Sequence, residues 1–453
     1  MHSVEYFGYR GFLAKKLMDL GAKIGDLVVV KKPGLVAEGF LMPREALYGD
    51  KPILVLKLSN GYNIGIRVDE NTAVEVMEKP RKHVLPGKRV VRGVEGKPLP
   101  RVTMLSTGGT IVSRVDYETG AVKPALSVDE IMEWIPELGG IAYIDAREVM
   151  SIFSEDIEPR HWERIALEIY REFEKGVDGV VIAHGTDMMA YTAAALAFAI
   201  RDKPAPIVLV GSQRSSDRPS TDSAFNLKAA FLVAARAPFA ESVIVMHGET
   251  GDTYALAHRG VKVRKMHTSR RDAFQSINDK PLAIVYPDKM EIKVINNIIE
   301  HRDKSKQPVL ENKFDDRVAI VKAYPGVDPE IIDLLVDRGY HGIVIEGSGL
   351  GHIANKVIDS IRRAVEEGVA VVMTSQCLFG RVDLYVYSTG RRLLEAGVIP
   401  GSDMLPETAF VKLSWILGSK TRELKEVARL MTTNIAGEIN PRLTIDTFPR
   451  WRY

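Results

Sequence analysis

Two threonine-containing turns in the middle of the chain have the composition of a nucleophile site. The first reads Leu105-Ser-Thr-Gly-Gly-Thr110 and the second His184-Gly-Thr186-Asp187, and each follows a run of apolar residues typical of a buried strand. Loops at the carboxyl ends of parallel strands are where α/β enzymes bind their ligands. Because a threonine hydroxyl is a poor nucleophile, it needs a neighbouring base to take its proton.

Lys265 is the candidate base. It lies in a third segment, Val263-Arg-Lys265, far along the chain from both turns. A buried lysine amine can accept a proton, because burial disfavours its charged form, and a carboxylate such as Asp187 can hold and orient it. The alternative is a surface lysine, since Lys262 and Arg264 are also basic. Two hydroxyls, an amine and a carboxylate together favour a hydrolase with a threonine nucleophile.

The glycines of both turns suit the binding of an oxyanion. Gly109 and Gly185 lack a side chain, so backbone amides beside them can approach a bound group closely. Either turn taken alone has a competing interpretation, in which its threonine only caps a helix. Tyr117 lies in a polar segment after the first turn. That segment either closes over the site as a lid or is an ordinary exposed loop.

The overall composition limits the setting. A chain of 453 residues is expected to form two or three domains. Its 61 basic and 59 acidic residues leave a formal net charge of +2, which argues against binding nucleic acid by bulk electrostatics. Cys377 is the only cysteine, which excludes an intramolecular disulfide and favours a reducing compartment. No apolar run approaches the ~20 residues of a membrane span, so we expect a cytoplasmic protein. Many charged residues and few glutamines are typical of a thermophile.

Residues 1–78 are predicted to form a small β-barrel domain. Apolar runs at 26–31, 35–41, 52–57 and 63–67 are separated by Gly, Pro and Asn turns, as in a compact barrel. The barrel is either a docking or spacer module or a nucleic-acid-binding domain, and its few aromatic residues count against the second. Residues 79–100 are rich in Pro, Gly and basic residues and are predicted to be a linker.

From residue 101 onward, strands alternate with helices. Apolar runs at 101–105, 179–183, 206–210 and 242–246 are typical of parallel strands covered on both faces. Residues 101–300 are therefore predicted to form a large, doubly wound α/β domain that carries the active site. The same alternation predicts a small C-terminal α/β domain over 316–436. Residues 437–453 are a C-terminal tail that either docks on a partner or straps its own domain.

Metal and dinucleotide chemistry find little support in the sequence. The histidines show neither the short helical spacing nor the accompanying cysteine pair of a zinc site. The run Gly347-Ser-Gly-Leu-Gly351 lacks the following glycine of a phosphate-binding loop. We therefore predict that this chain needs no metal and no organic cofactor.

The motifs resemble those of a known family. Residues 101–418 are similar to the bacterial-type L-asparaginases, in which two threonine motifs, a lysine and a small C-terminal domain occur in the same order. Over its full length, including the barrel, the linker and the stretch Thr374-Ser-Gln-Cys-Leu-Phe-Gly380, the chain resembles the D subunits of archaeal glutamyl-tRNA(Gln) amidotransferases. This resemblance implies an asparaginase-like fold of two α/β domains preceded by a small β-barrel.

The resemblance also implies catalytic roles. Thr110 takes the place of the threonine usually assigned as the nucleophile, and Tyr117 that of the lid tyrosine. Thr186, Asp187 and Lys265 correspond to the family's proton-transfer group.

Substrate contacts follow from a further match. The segment Phe153-Ser154-Glu155-Asp156 resembles the family's Ser-Gln-Asp segment, which implies that Ser154 binds the substrate α-carboxylate and Glu155 its α-ammonium group. Simple asparaginases commonly have glutamine at the position of Glu155. The competing interpretation of Ser154 is the N-cap of the helix near Pro159. Gly109 and Gly185 complete the predicted substrate-binding set.

The reaction implied by the resemblance is hydrolysis of the side-chain amide of L-glutamine. Ammonia would pass to a partner subunit of the E type (GatE), which uses ATP and Mg and converts glutamyl-tRNA(Gln) into glutaminyl-tRNA(Gln). The implied assembly is a homodimer within a heterotetramer that contacts tRNA mainly through the partner.

Two other functions are open at this point. The first is a free-standing L-asparaginase or glutaminase, and the second is a non-catalytic tRNA-binding subunit with a degenerate asparaginase fold. The intact set of threonines, aspartate and lysine argues against the second.

Overall fold

The computed structural model describes residues 5–44, 51–58, 63–77, 99–108, 111, 113–115, 122–124, 135–216 and 220–448. The chain divides into two compact units. The first comprises residues 1–92, 110–125 and 214–223, and the second comprises 93–109, 126–213 and 224–453. None of the helices in the described part of the chain is long and apolar enough to cross a membrane.

The first unit contains the strands expected of the N-terminal domain. They form a five-stranded sheet in which all neighbours are antiparallel, in the order Asn63–Arg67, Ile53–Lys57, Leu35–Leu41, Leu27–Lys32 and Ala73–Val76. The helix Gly11–Asp19 buries Leu13 and Leu17, which lie on one helix face, in the core formed with Val28 and Leu54. Two short antiparallel pairs complete the unit, Glu5–Tyr6 with Tyr9–Arg10 and Ser113–Val115 with Val122–Pro124.

An eight-stranded sheet is the framework of the second unit. From one edge to the other its strands are Tyr143–Glu148, Arg101–Ser106, Gly179–Ala183, Ile207–Val210, Ser242–His247, Ala255–Arg259, Ala283–Tyr286 and Glu291–Val294. The first five strands are parallel and the last three are antiparallel. The sheet is mixed because the chain returns as hairpin-like strands after His247 instead of crossing over through helices.

The order of the strands reverses beside Arg101–Ser106. The chain goes from this strand to one neighbour, Tyr143–Glu148, and later places Gly179–Ala183 on the other side. A reversal of this kind opens a crevice at the carboxyl ends of the two strands that flank it. Both threonine turns begin at those two strand ends.

Helices cover the parallel part of the large sheet: Pro159–Glu174, Met189–Ala199 and Ser223–Arg236. The first begins at a capping box, in which Nδ1 of His161 accepts the backbone N–H of Glu158 at 2.9 Å. The second ends at Ala199, because Ile200–Arg201 pairs as a strand with Val309–Leu310.

A smaller four-stranded parallel sheet lies in the C-terminal part of the second unit, in the order Val318–Lys322, Gly342–Gly347, Ala370–Ser375 and Ile399–Pro400. Its helices are Glu330–Asp337, Ile358–Glu366, Ser388–Glu395, Pro406–Ser419 and Leu424–Thr432. The helix Pro406–Ser419 joins the two sheets, because Trp415 stacks on Phe198 of the large domain at 5.7 Å while Leu413 packs against Gly342 of the small sheet.

The C-terminal segment straps the second unit. The Asn440 amide nitrogen donates to the Asn278 carbonyl at 2.7 Å and to Asp403 Oδ2 at 2.8 Å. Further along, Phe448 packs edge-on against Phe379 with ring centroids 5.3 Å apart. Of the two interpretations of the tail, the described residues therefore favour a strap.

Candidate active site

The first threonine turn starts directly at the crevice. Both the N–H and the hydroxyl of Thr107 donate to the carbonyl of Ala183 at 3.0 Å, which ties the end of one strand to the end of its neighbour. Gly108 has φ +107, and a Cβ there would lie 2.4 Å from the carbonyl oxygen of Ile152. Only glycine fits this position, because any side chain would meet backbone in a conformation that L residues rarely adopt.

Three of the predicted residues fall outside the described part of the chain. They are Gly109, Thr110 and Tyr117. The predicted nucleophile and the predicted lid tyrosine therefore stay predictions.

The second threonine turn is built on a buried histidine. His184 is enclosed, with Nδ1 2.6 Å from the Gly185 carbonyl and Nε2 2.9 Å from the Thr192 hydroxyl. Burial lowers the pKa of His184 to about 4, so the ring is neutral at neutral pH and holds the turn without adding charge. This histidine has a structural role beside the site.

Lys265 lies within hydrogen-bonding distance of both polar groups of the second turn. Its Nζ donates to the Thr186 hydroxyl at 2.8 Å and to Asp187 Oδ1 at 2.7 Å. The lysine side chain is 13% exposed, whereas that of Asp187 is 63% exposed. The geometry therefore places the amine beside the hydroxyl and leaves much of the carboxylate exposed.

Lys265 is delivered to this position by a short hairpin. The strand Val263–Lys265 pairs with Phe274–Ser276, and Val263 and Phe274 are buried. Val263 and Lys265 are two residues apart and therefore lie on the same face of the strand. Lys265, the last residue of the strand, reaches the turn at residues 186–187. The contact joins segments that are 79 residues apart in sequence.

Ser154 lies against the second turn. A Cβ at Gly185 would come within 2.8 Å of Ser154 Cβ and 2.9 Å of its Oγ, so the absence of a side chain at Gly185 makes room for the serine. Ser154 is buried at the start of a short 3-10 helix, Ser154–Asp156, and Glu155 beside it is exposed. The helix Pro159–Glu174 has Glu158 at its N-cap, so Ser154 does not cap that helix.

Three residues next to Lys265 were not predicted as site residues. Arg264 pairs with Glu407 at 3.0 Å, and together with Tyr191 they line a cavity of about 400 Å³ that also includes Asp187 and Lys265. Burial raises the pKa of Tyr191 to about 12 and also raises the pKa of Glu407. The sequence around Glu407 did not indicate that this residue lines the cavity beside Lys265, because Glu407 belongs to the small domain and reaches the cavity only through tertiary packing.

Gly211 is a further residue of the site that the motifs did not include. It follows the strand Ile207–Val210, and a Cβ there would lie 2.8 Å from Thr186 Cγ2 and 2.8 Å from the His184 carbonyl. Gly211 could have been predicted as a site residue because it directly follows a parallel strand, where ligands bind in α/β folds.

Asp222 accepts the backbone N–H of Arg214 at 3.0 Å across a turn of the chain. In the described ranges, no three His, Cys, Asp or Glu side chains are arranged to hold a metal ion.

Comparison with known proteins gives the class of the fold. The family model "Asparaginase, N-terminal" matches residues 101–300, and "Glutaminase/Asparaginase C-terminal domain" matches 317–431. The thermostable L-asparaginase from Thermococcus kodakarensis is 35% identical with a TM-score of 0.67, covering 76% of this chain and 100% of that one. L-asparaginase I from Vibrio cholerae is 28% identical with a TM-score of 0.65, covering 76% and 99%. The second unit has the two-domain fold of the L-asparaginases.

The N-terminal region narrows the family. Residues 22–77 match the model "GatD N-terminal domain". A relative from Pyrococcus abyssi, named as the D subunit of glutamyl-tRNA(Gln) amidotransferase, is 54% identical over 96% of this chain and 99% of its own length. The protein of the same name from Metallosphaera sedula is 51% identical over 98% and 99%. The chain belongs to the family of glutamyl-tRNA(Gln) amidotransferase D subunits.

Proposed function

We propose that this chain hydrolyses the side-chain amide of L-glutamine and supplies the ammonia to a partner subunit that amidates glutamate on tRNA(Gln). The observation that carries the proposal is the amine of Lys265 bridging the Thr186 hydroxyl and the Asp187 carboxylate at the carboxyl ends of the central strands. The full-length similarity to proteins named as amidotransferase D subunits supports the same conclusion.

The reaction has two steps. The Thr110 hydroxyl attacks the amide carbon, an ester bond forms, the carbon–nitrogen bond breaks, and the nitrogen leaves as ammonia with the hydroxyl proton. Water then attacks the ester, L-glutamate leaves, and a proton returns to the threonine oxygen. Thr186 and Lys265 carry these protons, and Asp187 holds the lysine. Backbone amides at Gly109 and Gly185 face the oxyanion.

Substrate recognition uses both sides of the second turn. Ser154, packed against Gly185, binds the α-carboxylate. Asp187 has an exposed carboxylate that pairs with the α-ammonium group, and Glu155 adds a second carboxylate for the same group. Tyr117 closes the lid over the bound amino acid.

The similarity to amidotransferase D subunits supports a proposal for the assembly. The chain forms a homodimer within a heterotetramer with the E subunit, which consumes ATP and Mg, and the complex works in the cytoplasm on glutamyl-tRNA(Gln). No metal or organic cofactor enters the steps assigned to this chain.

The test is reconstitution with the partner subunit and glutamyl-tRNA(Gln), followed by measurement of L-glutamate and ammonia. We expect glutamine hydrolysis that rises when partner and tRNA are added, and that Thr110→Val and Thr186→Val abolish. Fast asparagine turnover by the chain alone, indifferent to partner and tRNA, would instead establish a free-standing asparaginase. Unchanged ammonia production by Thr110→Val would establish a non-catalytic role.

A further inference from the structure

A second buried histidine, His247, lies behind the proposed site and has no part in the reaction described above. It is the last residue of the strand Ser242–His247, and its side chain is fully enclosed. Its Nδ1 lies 2.6 Å from Asn226 Oδ1, and its Nε2 lies 2.8 Å from Asp252 Oδ1. The Phe225 ring packs on it with centroids 4.4 Å apart.

The partners of His247 determine its protons. The amide nitrogen of Asn226 donates to the Gly211 carbonyl at 3.0 Å, so the amide oxygen must be the atom that faces His247. That oxygen only accepts, and Nδ1 therefore carries a proton. Asp252 Oδ1 also accepts from Arg271 at 3.0 Å, and since a carboxylate oxygen only accepts, Nε2 is the donor in the second contact of the ring. A ring that donates from both nitrogens is an imidazolium.

The same chain of bonds ends at the proposed catalytic turn. Asn226 holds the carbonyl of Gly211, and Gly211 packs against the Thr186 methyl group so closely that no side chain would fit between them. Asn226 is itself completely buried. The wall behind Thr186 is thus held by hydrogen bonds that start at the exposed carboxylate of Asp252.

We propose that His247 is a buried imidazolium that, through Asn226 and Gly211, positions the Thr186 hydroxyl for proton transfer with Lys265. His247 and Asn226 are positioning residues and do not touch the substrate. The inference rests on the proposed function of Thr186, but the protonation of His247 can be measured without any reference to activity.

The first experiment reads the histidine directly. The full-length protein is labelled with ¹⁵N-histidine, and the His247 signals are assigned by their loss in His247→Gln. We expect both ring nitrogens to carry protons at pH 7.5. In Asp252→Asn the new amide can donate to Nε2, so the ring should become neutral with its proton on Nδ1. A neutral His247 ring in the unsubstituted protein overturns the proposal.

The second experiment measures the consequence for turnover. Asn226→Asp keeps the acceptor for His247 but removes the donor to Gly211, and misplacement of a reacting group by a distant change can cost about 100-fold in rate. We expect kcat for glutamine to fall about 10- to 100-fold with KM changed less than about threefold, since the substrate contacts lie elsewhere. Asn355→Asp, an exposed residue that bonds Thr389 and Arg392, is the matched control and should retain full kcat.

Where Asn226→Asp folds poorly, His247→Gln gives the same readout, because one amide cannot donate to both acceptors at the spacing of the imidazole ring. Unchanged kcat in folded Asn226→Asp or His247→Gln overturns the positioning role. If the unsubstituted complex does not hydrolyse glutamine, the proposed function fails, and the ¹⁵N spectrum still decides the state of His247.

Discussion

Replacing Lys265 by methionine separates the chemistry of the site from the stability of the fold. The substitution keeps the length and apolar stem of the side chain but removes the amine that donates to Thr186 at 2.8 Å and Asp187 at 2.7 Å. A positioned acid–base group contributes about 10²- to 10⁴-fold to rate, so we expect kcat/KM for glutamine to fall by that factor. This loss corresponds to about 3 to 5 kcal/mol of transition-state stabilisation.

The stability cost of the same change is small. Asp187 is 63% exposed, so water replaces the lost ion pair, and pairs of this kind contribute at most about 1 kcal/mol. The urea midpoint of Lys265→Met should therefore lie near that of the unsubstituted protein. The assay couples ammonia release to a dehydrogenase, with urea unfolding followed by tryptophan fluorescence on the same preparation.

Lys262 supplies the matched control three positions earlier in the chain. It pairs with Asp403 at 2.7 Å, and both side chains are fully buried. Lys262→Met leaves a buried carboxylate without its cation and should cost about 3 to 5 kcal/mol of stability, while molecules that remain folded keep their activity. If Lys265→Met retained more than about a tenth of the activity, Lys265 would not be an acid–base group of the reaction, because such a group contributes about 100-fold or more to the rate.

Three further predictions concern a buried histidine, a glycine of the first threonine turn and the proposed substrate contact of Ser154. Burial lowers the pKa of His258 to about 3, so the native ring stays neutral while the unfolded ring takes up a proton below its ordinary pKa of 6.5. The contribution of the neutral ring to stability is therefore complete above pH 6.5 and is lost as the pH falls toward 3. Between pH 6 and pH 4.5, the free energy of unfolding from urea titrations should fall less steeply in His258→Asn than in the unsubstituted protein, by about 1.4 kcal/mol per pH unit. Gly108→Ala should destabilise the first turn and abolish activity, because its Cβ would meet the Ile152 carbonyl at 2.4 Å. Its control is Gly368→Ala, which has φ +87 but open space around it and should cost only about 1 kcal/mol of stability while keeping full activity. Urea unfolding and glutamine kinetics of the two variants test this difference. Ser154→Ala should raise the KM for glutamine about tenfold or more with little change in kcat if the hydroxyl binds the α-carboxylate, and an unchanged KM would remove Ser154 from the substrate set.

Much of the framework could be predicted from local patterns. The strand Gly179–Ala183 begins and ends where its continuous apolar run does, because a strand covered on both faces is apolar along its whole length. The strands Ala255–Arg259, Ala283–Tyr286 and Glu291–Val294 were not predicted. Polar and charged residues interrupt the apolar pattern of the first and the last of these, since antiparallel strands near a sheet edge do not need to be apolar on both faces. Ala283–Tyr286 is short but apolar, so its pattern is compatible with a strand.

What the sequence by itself determined is local. A glycine after a buried strand marks a tight turn, and a threonine beside it places a hydroxyl at the carboxyl end of that strand, because the conformational limits of the backbone act over a few residues. The order of Thr110, Thr186, Asp187 and Lys265 along the chain was also enough to recognise the asparaginase pattern.

Only the tertiary structure decided which distant groups meet. The contact of Lys265 with Thr186, the pairing of Arg264 with Glu407 from the small domain, and the chain of bonds from Asp252 through His247 to Gly211 all join segments without a shared local pattern. The physical reason is that a hydrogen bond or an ion pair depends on distances of about 3 Å in space. Those distances follow from how helices and sheets pack, and no spacing of residues along the chain encodes them.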